Sequence, residues 1–225
     1  MCTASKSRTL RRRTRSLLVL CFASIAAAGC NPKSGEPAEL AKLSESELPI
    51  VRALPQGKSG TTTTLDFTLP AKAGAKADEK TGRSFFIGFR ILLTPDLFDG
   101  NFQKVDHLVS RADMPVRVVL QKTDTTPATP IRLAEYMFSP EPGPPPSRVL
   151  IDDIAVTKHR TSADPELLLK KGLSNSKLTY FEYEFAHVTD PQAGNYRLSI
   201  ETLKDSVDLQ ALATEVIVTN YYRGK

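Results

Sequence analysis

Apolar and polar residues alternate with period two through most of the chain after Gly60. The first run puts Leu65, Phe67 and Leu69 into one apolar set. Successive side chains of a β-strand point to opposite faces of the sheet, so this alternation predicts half-buried strands. Further runs lie in Phe85 to Leu93, Val116 to Leu120, Ile131 to Leu133, Val149 to Val156, Phe181 to Phe185, Tyr196 to Ile200 and Val216 to Val218. About eight strands are therefore expected.

Helical patterns interrupt the strands at Gln103 to Ser110 and at Pro165 to Lys171. Asp164 is a candidate N-cap for the second helix, because its carboxylate can accept hydrogen bonds from free N–H groups of the first turn. Pro165 suits that first turn, where an N–H is not needed. Many short strands with one or two short helices favour an all-β sandwich or barrel over an α/β fold.

The segment Asp190 to Tyr196 is a tight turn that delivers a tyrosine onto the start of a strand. It resembles the tyrosine corner of immunoglobulin-like sandwiches, in which the hydroxyl bonds back to the preceding loop. The resemblance implies an immunoglobulin-like antiparallel β-sandwich and a structural role for Tyr196. The competing interpretation is a ligand-stacking tyrosine, although Tyr196 shares its apolar face with Leu198 and Ile200.

Residues 1–29 have the order of a secretion signal. Six basic residues and no acidic one are followed by an uncharged run from Ser16 to Asn31. The apolar stretch Leu17 to Ala28 is too short to span a bilayer as a helix, which takes about 20 residues. We therefore predict a signal peptide rather than a lasting membrane span.

The signal ends in Ala27-Ala28-Gly29-Cys30, which resembles the lipobox of bacterial lipoproteins. The resemblance implies cleavage between Gly29 and Cys30, followed by attachment of lipid chains to Cys30. Two or three acyl chains hold a protein almost permanently on a membrane. Asn31, where an aspartate would indicate inner-membrane retention, favours the outer membrane facing the periplasm. The alternative is a secreted protein with a chance cysteine.

Cleavage changes the charge of the protein. The chain has 30 basic and 25 acidic residues, but six of the basic ones lie in the signal, so the mature protein is near neutral. The basicity of the precursor therefore gives no support to nucleic-acid binding. Cys2 and Cys21 leave with the signal, which excludes an intramolecular disulfide and a cysteine zinc site.

Three segments follow from this pattern: a signal peptide in residues 1–29, a lipidated flexible tether in residues 30–60, and a β-sandwich domain in residues 61–225. Polar and small residues with scattered prolines and glycines characterise the tether.

Catalytic and metal-binding constellations are hard to find in this sequence. His107, His159 and His187 are dispersed, which is typical of ordinary surface residues, and no serine sits in a G-x-S-x-G nucleophile elbow. Asp152 and Asp153 are adjacent, so on a strand they would point to opposite faces, and a turn or edge role is expected. We predict no enzyme, no cofactor and no metal site.

Two groups of residues are candidate contacts for a protein partner. Tyr180, Glu182 and Glu184 share the strand face opposite to Phe181, Tyr183 and Phe185. Pro144 and Pro145 belong to a proline-rich loop, and a stiff loop loses little entropy on binding. The alternatives are a solvated strand face, on which charge discourages aggregation, and a plain spacer between strands.

Several motifs together resemble a proteobacterial lipoprotein family of unknown function. They are Phe85 to Phe89, Pro115 to Val118, and Ala193 to Arg197 followed by Leu203 to Asp205. The similarity covers Thr61 to Val218, and the segment from the prolines to Lys171 fits least well.

Small envelope lipoproteins of this sort often resemble immunity proteins that block effectors of rival cells, notably type VI lipases. The resemblance implies a protein-binding module that occludes its partner sterically. A structural or assembly lipoprotein of the envelope or of a secretion system is the alternative, and an enzyme is the third.

Overall fold

The computed structural model describes residues 47–54, 58–71, 84–93, 102–112, 114–137, 139, 142–156, 158–175, 177–210 and 212–222. All of them belong to one compact unit, Lys42–Lys225. The strands are β1 (Ile50–Ala53), β2 (Thr62–Leu69), β3 (Ser84–Leu93), β4 (Val116–Lys122), β5 (Thr129–Ile131), β6 (Ala134–Tyr136), β7 (Ser147–Val149), β8 (Ile154–Ala155), β9 (His159–Thr161), β10 (Thr179–Thr189), β11 (Gly194–Thr202) and β12 (Thr214–Asn220). The helices are α1 (Phe102–Arg111), α2 (Pro165–Lys170) and α3 (Val207–Gln210).

The strands form two antiparallel sheets. The large sheet has the order β1-β12-β3-β10-β6-β7, with β9 also paired to β10. The small sheet has the order β2-β11-β4-β5, with β8 also paired to β4. The predicted all-β sandwich is therefore confirmed.

The alternating residues of both sheets fill the space between them. Phe85, Ile87 and Phe89 of β3 are almost fully buried in one core with Phe67 of β2 and Tyr196 of β11. The ring of Phe67 meets that of Phe85 across the sandwich edge-to-face, with their centroids 5.9 Å apart. The period-two pattern thus specifies which face of each sheet is apolar.

The strand order differs from the immunoglobulin order at two places. In an immunoglobulin domain the first strand lies in the same sheet as the second strand, and the last strand lies in the same sheet as the sixth. In this protein β2, which directly precedes β3 in the chain, lies in the other sheet and pairs with β11. The last strand, β12, pairs with β3. Relative to the immunoglobulin order, β2 and β12 have therefore exchanged sheets, while β3 still pairs with β10 and β4 with β11.

A β-bulge in β10 shifts the register between Glu184 and Ala186. Gly88 lies opposite Glu184 on β3, and a Cβ atom at Gly88 would lie 1.9 Å from the carbonyl oxygen of Tyr183. Only glycine fits so close a backbone approach. The extra residue lets both Phe185 and Ala186 join the core, so that His187 turns to the outer face of the sheet.

A second, smaller core covers that outer face. Leu168 of α2 and Ala163 pack there against Val51, Phe86 and Ile217. The Asp164 carboxylate accepts from the backbone N–H groups of Glu166 and Leu167 at 3.0 and 3.2 Å, which confirms the predicted N-cap. The helix that covers this face of the sheet therefore has a capped first turn.

Helix α1 extends the predicted segment by one residue at each end. Its Val105 and Val109 are buried in the main core. Its Asp106 accepts a 2.6 Å hydrogen bond from the Tyr183 hydroxyl and pairs with Arg160 at 2.7 Å. In the described residues no helix is long and apolar enough to cross a bilayer.

The expected boundary between the tether and the domain is wrong. The flexible tether was expected to reach residue 60, but Ile50–Ala53 form β1, which pairs with β12 in the large sheet. Ile50, Val51 and Leu54 are buried, because this short apolar run supplies both cores. Residues 30–46 lie outside the described residues.

The run Val149 to Val156 was expected to be one strand, but it contains the end of β7, a turn, and β8. Ile151 and Ile154 form an isolated bridge, and Asp152 and Asp153 between them have φ angles of 52° and 58°. Aspartate tolerates this left-handed conformation better than most residues. The expected turn role of the two carboxylates is confirmed.

Tyr196 has the contacts that a tyrosine corner requires. Its hydroxyl donates a 2.6 Å hydrogen bond to the carbonyl of Gln192, and its ring stacks on Phe67 at 5.5 Å. Burial, with the charge of Asp124, raises the pKa of Tyr196 to about 12, so the hydroxyl remains a donor.

We expect Tyr196→Phe to lower the free energy of unfolding by about 0.5–1.5 kcal/mol, because it removes one buried hydrogen bond and keeps the ring. Chemical denaturation measures this change. Tyr222→Phe is the matched control, since the Tyr222 side chain is half exposed. Equal stability of the two variants would argue against a structural role for the hydroxyl.

Candidate functional site at the edge of the large sheet

Strands β6, β7 and β8 meet where the two sheets come together. Strand β7 ends the order of the large sheet, and β8 pairs with β4 of the small sheet. We call the described residues between Leu133 and Val156 the β6–β8 edge.

A buried carboxylate holds the β6–β8 edge together. Glu135 of β6 is 1% exposed. Its Oε1 accepts from Nε of Arg148 on β7 at 2.8 Å, and its Oε2 accepts from the backbone N–H of Val156 at 3.2 Å. One side chain thus joins three segments. Charge-assisted hydrogen bonds offset the cost of removing the carboxylate from water.

Apolar side chains are exposed at this edge. Ile151 is 70% exposed, Val149 55%, Val156 52% and Met137 38%. Half of the large hydrophobic side chains that are exposed in the described residues lie here. Clusters of exposed apolar residues mark interaction sites more often than single ones do.

The proline-rich loop belongs to the same edge. It connects β6 to β7, and the N–H of Met137 donates to the carbonyl of Pro146 at 2.7 Å where the two strands leave it. Pro144 is exposed and Pro145 is half-buried. The structure therefore brings these two predicted contact residues next to the exposed apolar side chains.

A polar cluster supports β6 on the outer face of the large sheet. Glu184 accepts from the Tyr221 hydroxyl at 2.7 Å, and its other oxygen lies 2.7 Å from Nδ1 of His187. The ring of His187 stacks on Tyr136 of β6, with centroids 4.4 Å apart. Burial and the neighbouring Glu184 charge raise the pKa of Tyr221 far above its usual range, so its hydroxyl stays a donor.

This cluster corrects two predictions. Glu184 was expected on an exposed strand face but is only 2% exposed, and His187 was expected at the surface but is 6% exposed. The reason is that β9 pairs alongside β10 and Tyr221 reaches over Glu184. Glu184 is therefore a structural acceptor rather than a partner contact.

Tyr180 and Glu182 are partly buried. The guanidinium of Arg90 lies 4.1 Å above the Tyr180 ring. Glu182 accepts a 2.8 Å hydrogen bond from the N–H of Ala163, which precedes α2. Both residues are partly buried, because the layer around α2 packs over this part of β10, and their role as partner contacts stays a prediction.

Arg90 of β3 is a buried, positively charged residue beside Tyr180 and Glu182. It is 3% exposed, its Nε donates to Glu215 at 2.8 Å, and its Nη2 donates to the Leu173 carbonyl at 2.6 Å. Arg90 pairs in register with Glu182 on one side and Glu215 on the other. The charged residues Glu182, Arg90 and Glu215 therefore lie side by side on the neighbouring strands β10, β3 and β12.

The other predicted site residues are dispersed or undescribed. His107 on α1 and His159 on β9 are exposed. Across the described ranges, no three histidine, cysteine or carboxylate side chains form a group that could hold a metal ion. Gly29 and Cys30 lie outside the described residues.

Sequence reasoning missed Glu135, although a signal was present. Leu133 and Glu135 are two residues apart, so a strand that buries Leu133 turns Glu135 to the same inner side. A carboxylate at a core-facing position needs a partner, and the next strand supplies Arg148.

Glu182 makes the stability of the protein pH-dependent. Burial raises the pKa of Glu182 above 4.5, against the opposing effects of the Ala163 N–H and the Arg90 charge. The folded state therefore binds this proton more tightly than the unfolded state. As pH rises from about 4.5 through the folded pKa, the Glu182 contribution falls.

We expect Glu182→Gln to remove that fall, so the variant gains stability relative to the wild type between pH 4 and pH 7. Denaturant unfolding at a series of pH values measures the difference. Glu166→Gln, at an exposed position on α2, is the control. Parallel curves for wild type and Glu182→Gln would contradict the prediction.

No protein-family model matches this sequence, and no curated protein does either. A protein from Sulfurospirillum deleyianum of known crystal structure is similar to this chain, with 7% sequence identity and a TM-score of 0.43. The similarity covers 78% of this chain and 98% of that protein. At that score it carries no argument about function.

Proposed function

We propose that this protein is a lipid-anchored binding module of the cell envelope, facing the periplasm, that engages a protein partner through the β6–β8 edge. The observation that carries the proposal is the exposure of Met137, Val149, Ile151 and Val156 at one edge. Water contact is unfavourable for these side chains, and a partner that covers them gains the free energy of removing apolar area from water.

The edge is suited to binding because it is held in place beforehand. Glu135 fixes the spacing of its three segments, and the cluster around Glu184 supports β6 from the outer face of the sheet. A surface that is ordered before binding loses less conformational entropy in the complex. Prolines in the β6–β7 loop act in the same direction.

The lipoprotein resemblance favours an immunity role for this binding module. The module would bind a secreted effector, such as a type VI lipase, near the membrane and occlude its active site. Occlusion needs only a rigid, complementary surface, so it requires no catalytic group on this chain.

Ile151→Asp should weaken partner binding at least tenfold, about 1.4 kcal/mol, because it brings a charge into an apolar contact. The partner is first identified by co-purification with the membrane-bound protein and mass spectrometry. Its affinity for purified wild type and variant is then measured by calorimetry.

Val207→Asp is the matched control for this prediction, since Val207 is 79% exposed on α3 and does not belong to the β6–β8 edge. Equal affinity of Ile151→Asp and wild type would exclude the β6–β8 edge. A partner that is an envelope or secretion component, rather than a toxin, would replace immunity with an assembly role.

Lipid attachment has its own test. Cys30→Ser should leave the protein uncleaved or soluble, because the thiol that receives the lipid is lost. Cys21→Ser changes a cysteine inside the signal and should not alter the distribution. Cell fractionation and radiolabelled palmitate incorporation measure both variants, and an unchanged membrane fraction for Cys30→Ser would defeat the lipoprotein proposal.

A further inference from the structure

Strand β7 has one edge that pairs with no other strand in the described part of the chain. Its other edge pairs with β6, where the N–H of Leu150 donates to the Leu133 carbonyl at 2.9 Å just beyond β7. Residues that bond to the neighbouring strand alternate with residues that do not in an antiparallel ladder. The backbone N–H and carbonyl groups of Ser147 and Val149 therefore face away from β6.

These four outward groups are suited to an extended backbone. Both residues are exposed, and none of the four groups has a hydrogen-bond partner among the described residues. A peptide segment that joins the edge of a sheet bonds through its own main chain and takes its specificity from alternate side chains. The side chains of β7 therefore indicate which segment fits.

The two faces of β7 differ in chemistry. Arg148 lies opposite Glu135 and is 43% exposed. Its Nε and Nη2 both approach Oε1 of Glu135, at 2.8 and 2.7 Å, while its Nη1 has no hydrogen-bond partner within the described ranges. Val149 projects from the other face and is 55% exposed. A strand beside β7 thus meets guanidinium N–H groups on one face and an apolar side chain on the other.

We propose that β7 accepts an extended segment of the protein partner as a further strand of the large sheet, with a carboxylate opposite Arg148 and an apolar side chain beside Val149. The proposal rests on the proposed function, because it names how the β6–β8 edge recognises its partner. The backbone of the segment bonds to Ser147 and Val149. Nη1 of Arg148 donates to the carboxylate, and a charge-assisted hydrogen bond of this kind is stronger than a neutral one.

The same geometry disfavours a second copy of this chain at the edge. Two β7 strands that pair antiparallel and use all four outward groups place Ser147 opposite Val149 of the other copy, and Arg148 opposite Arg148. Side chains directly opposite one another have Cβ atoms about 4.5–5.5 Å apart, and like charges there are destabilising. A charged residue on an edge strand thus opposes pairing with an identical strand and favours one of opposite charge.

A library of random seven-residue peptides displayed on phage tests this recognition mode with a defined probe. The bait is the mature chain with Cys30→Ser. We expect enrichment of sequences in which an acidic residue alternates with valine, isoleucine or other apolar residues. An enriched peptide is then synthesised, and its affinity is measured by calorimetry. Selection of no peptide, or of peptides without this alternation, would overturn the proposal.

Proline substitution separates backbone pairing from side-chain contact. Val149→Pro should lower the affinity for the enriched peptide by about tenfold or more, because it removes an outward N–H and its ring obstructs the edge. That N–H does not bond to β6, so the sheet is retained. Val149→Thr keeps the N–H and the shape of the side chain, and is the matched control. Equal affinities of these two variants would contradict strand addition.

Two further measurements need no change in the protein. Exchange of the acidic residue of the peptide for lysine should weaken binding by about tenfold or more, since it faces Arg148. Amide hydrogen exchange of Ser147 and Val149, followed by NMR, should slow when the peptide binds, whereas Leu150, already bonded to β6, should not change. Unaltered exchange at Ser147 and Val149 in the complex would show that the peptide binds elsewhere.

Sedimentation equilibrium of the peptide-free protein is expected to give a monomer. A dimer that Val149→Pro dissociates would overturn the proposal, because a second copy would then occupy the edge. These outcomes are separate from the affinity of the co-purified partner for Ile151→Asp. Loss of partner binding in Ile151→Asp together with full binding in Val149→Pro would keep the β6–β8 edge and reject strand addition.

Discussion

The pairing of β3 with β10 is the interaction on which the other layers of the molecule depend. Both strands lie in the middle of the large sheet, and their ladder contains the bulge opposite Gly88. Phe185 faces the inner core in step with Phe181 and Tyr183, and the bulge brings Ala186 and Val188 inward after it. Without that extra residue, a continuous alternation would turn His187 into the core and Val188 out of it.

The large sheet has charged residues in the protein interior on both of its faces. Glu184, Glu135 and Arg90 are each less than 4% exposed, and each has hydrogen-bond partners from another segment of the chain. Such groups contribute less to stability than apolar residues of the same size, but leaving one partner out is costly. They therefore specify how α2, β9 and the β6–β8 edge attach to the sheet.

Period two in the sequence was sufficient to predict the sandwich and the inward residues of β2, β3 and β11, because apolar residues recur at every second position of each strand. The Asp164 cap and the Asp152–Asp153 turn were also predictable from local chemistry. The covering layer was not, since α2 is six residues long and its contact with Phe86 depends on tertiary structure. For the same reason Tyr180, Glu182 and Glu184 were predicted to be exposed, and β1 was predicted to be tether.

The position of β1 has a mechanical consequence. If the chain is anchored before Glu47 and held by a partner at β7, a pulling force crosses the large sheet from one outer strand to the other. Strand β1 is joined to β12 through four residue pairs, and β7 is joined to β6 through three, so the joints under most strain are the two ends of the sheet. Release of β1 would take Ile50 out of the main core and Val51 out of the outer one, and it would lengthen the chain between the anchor and the domain.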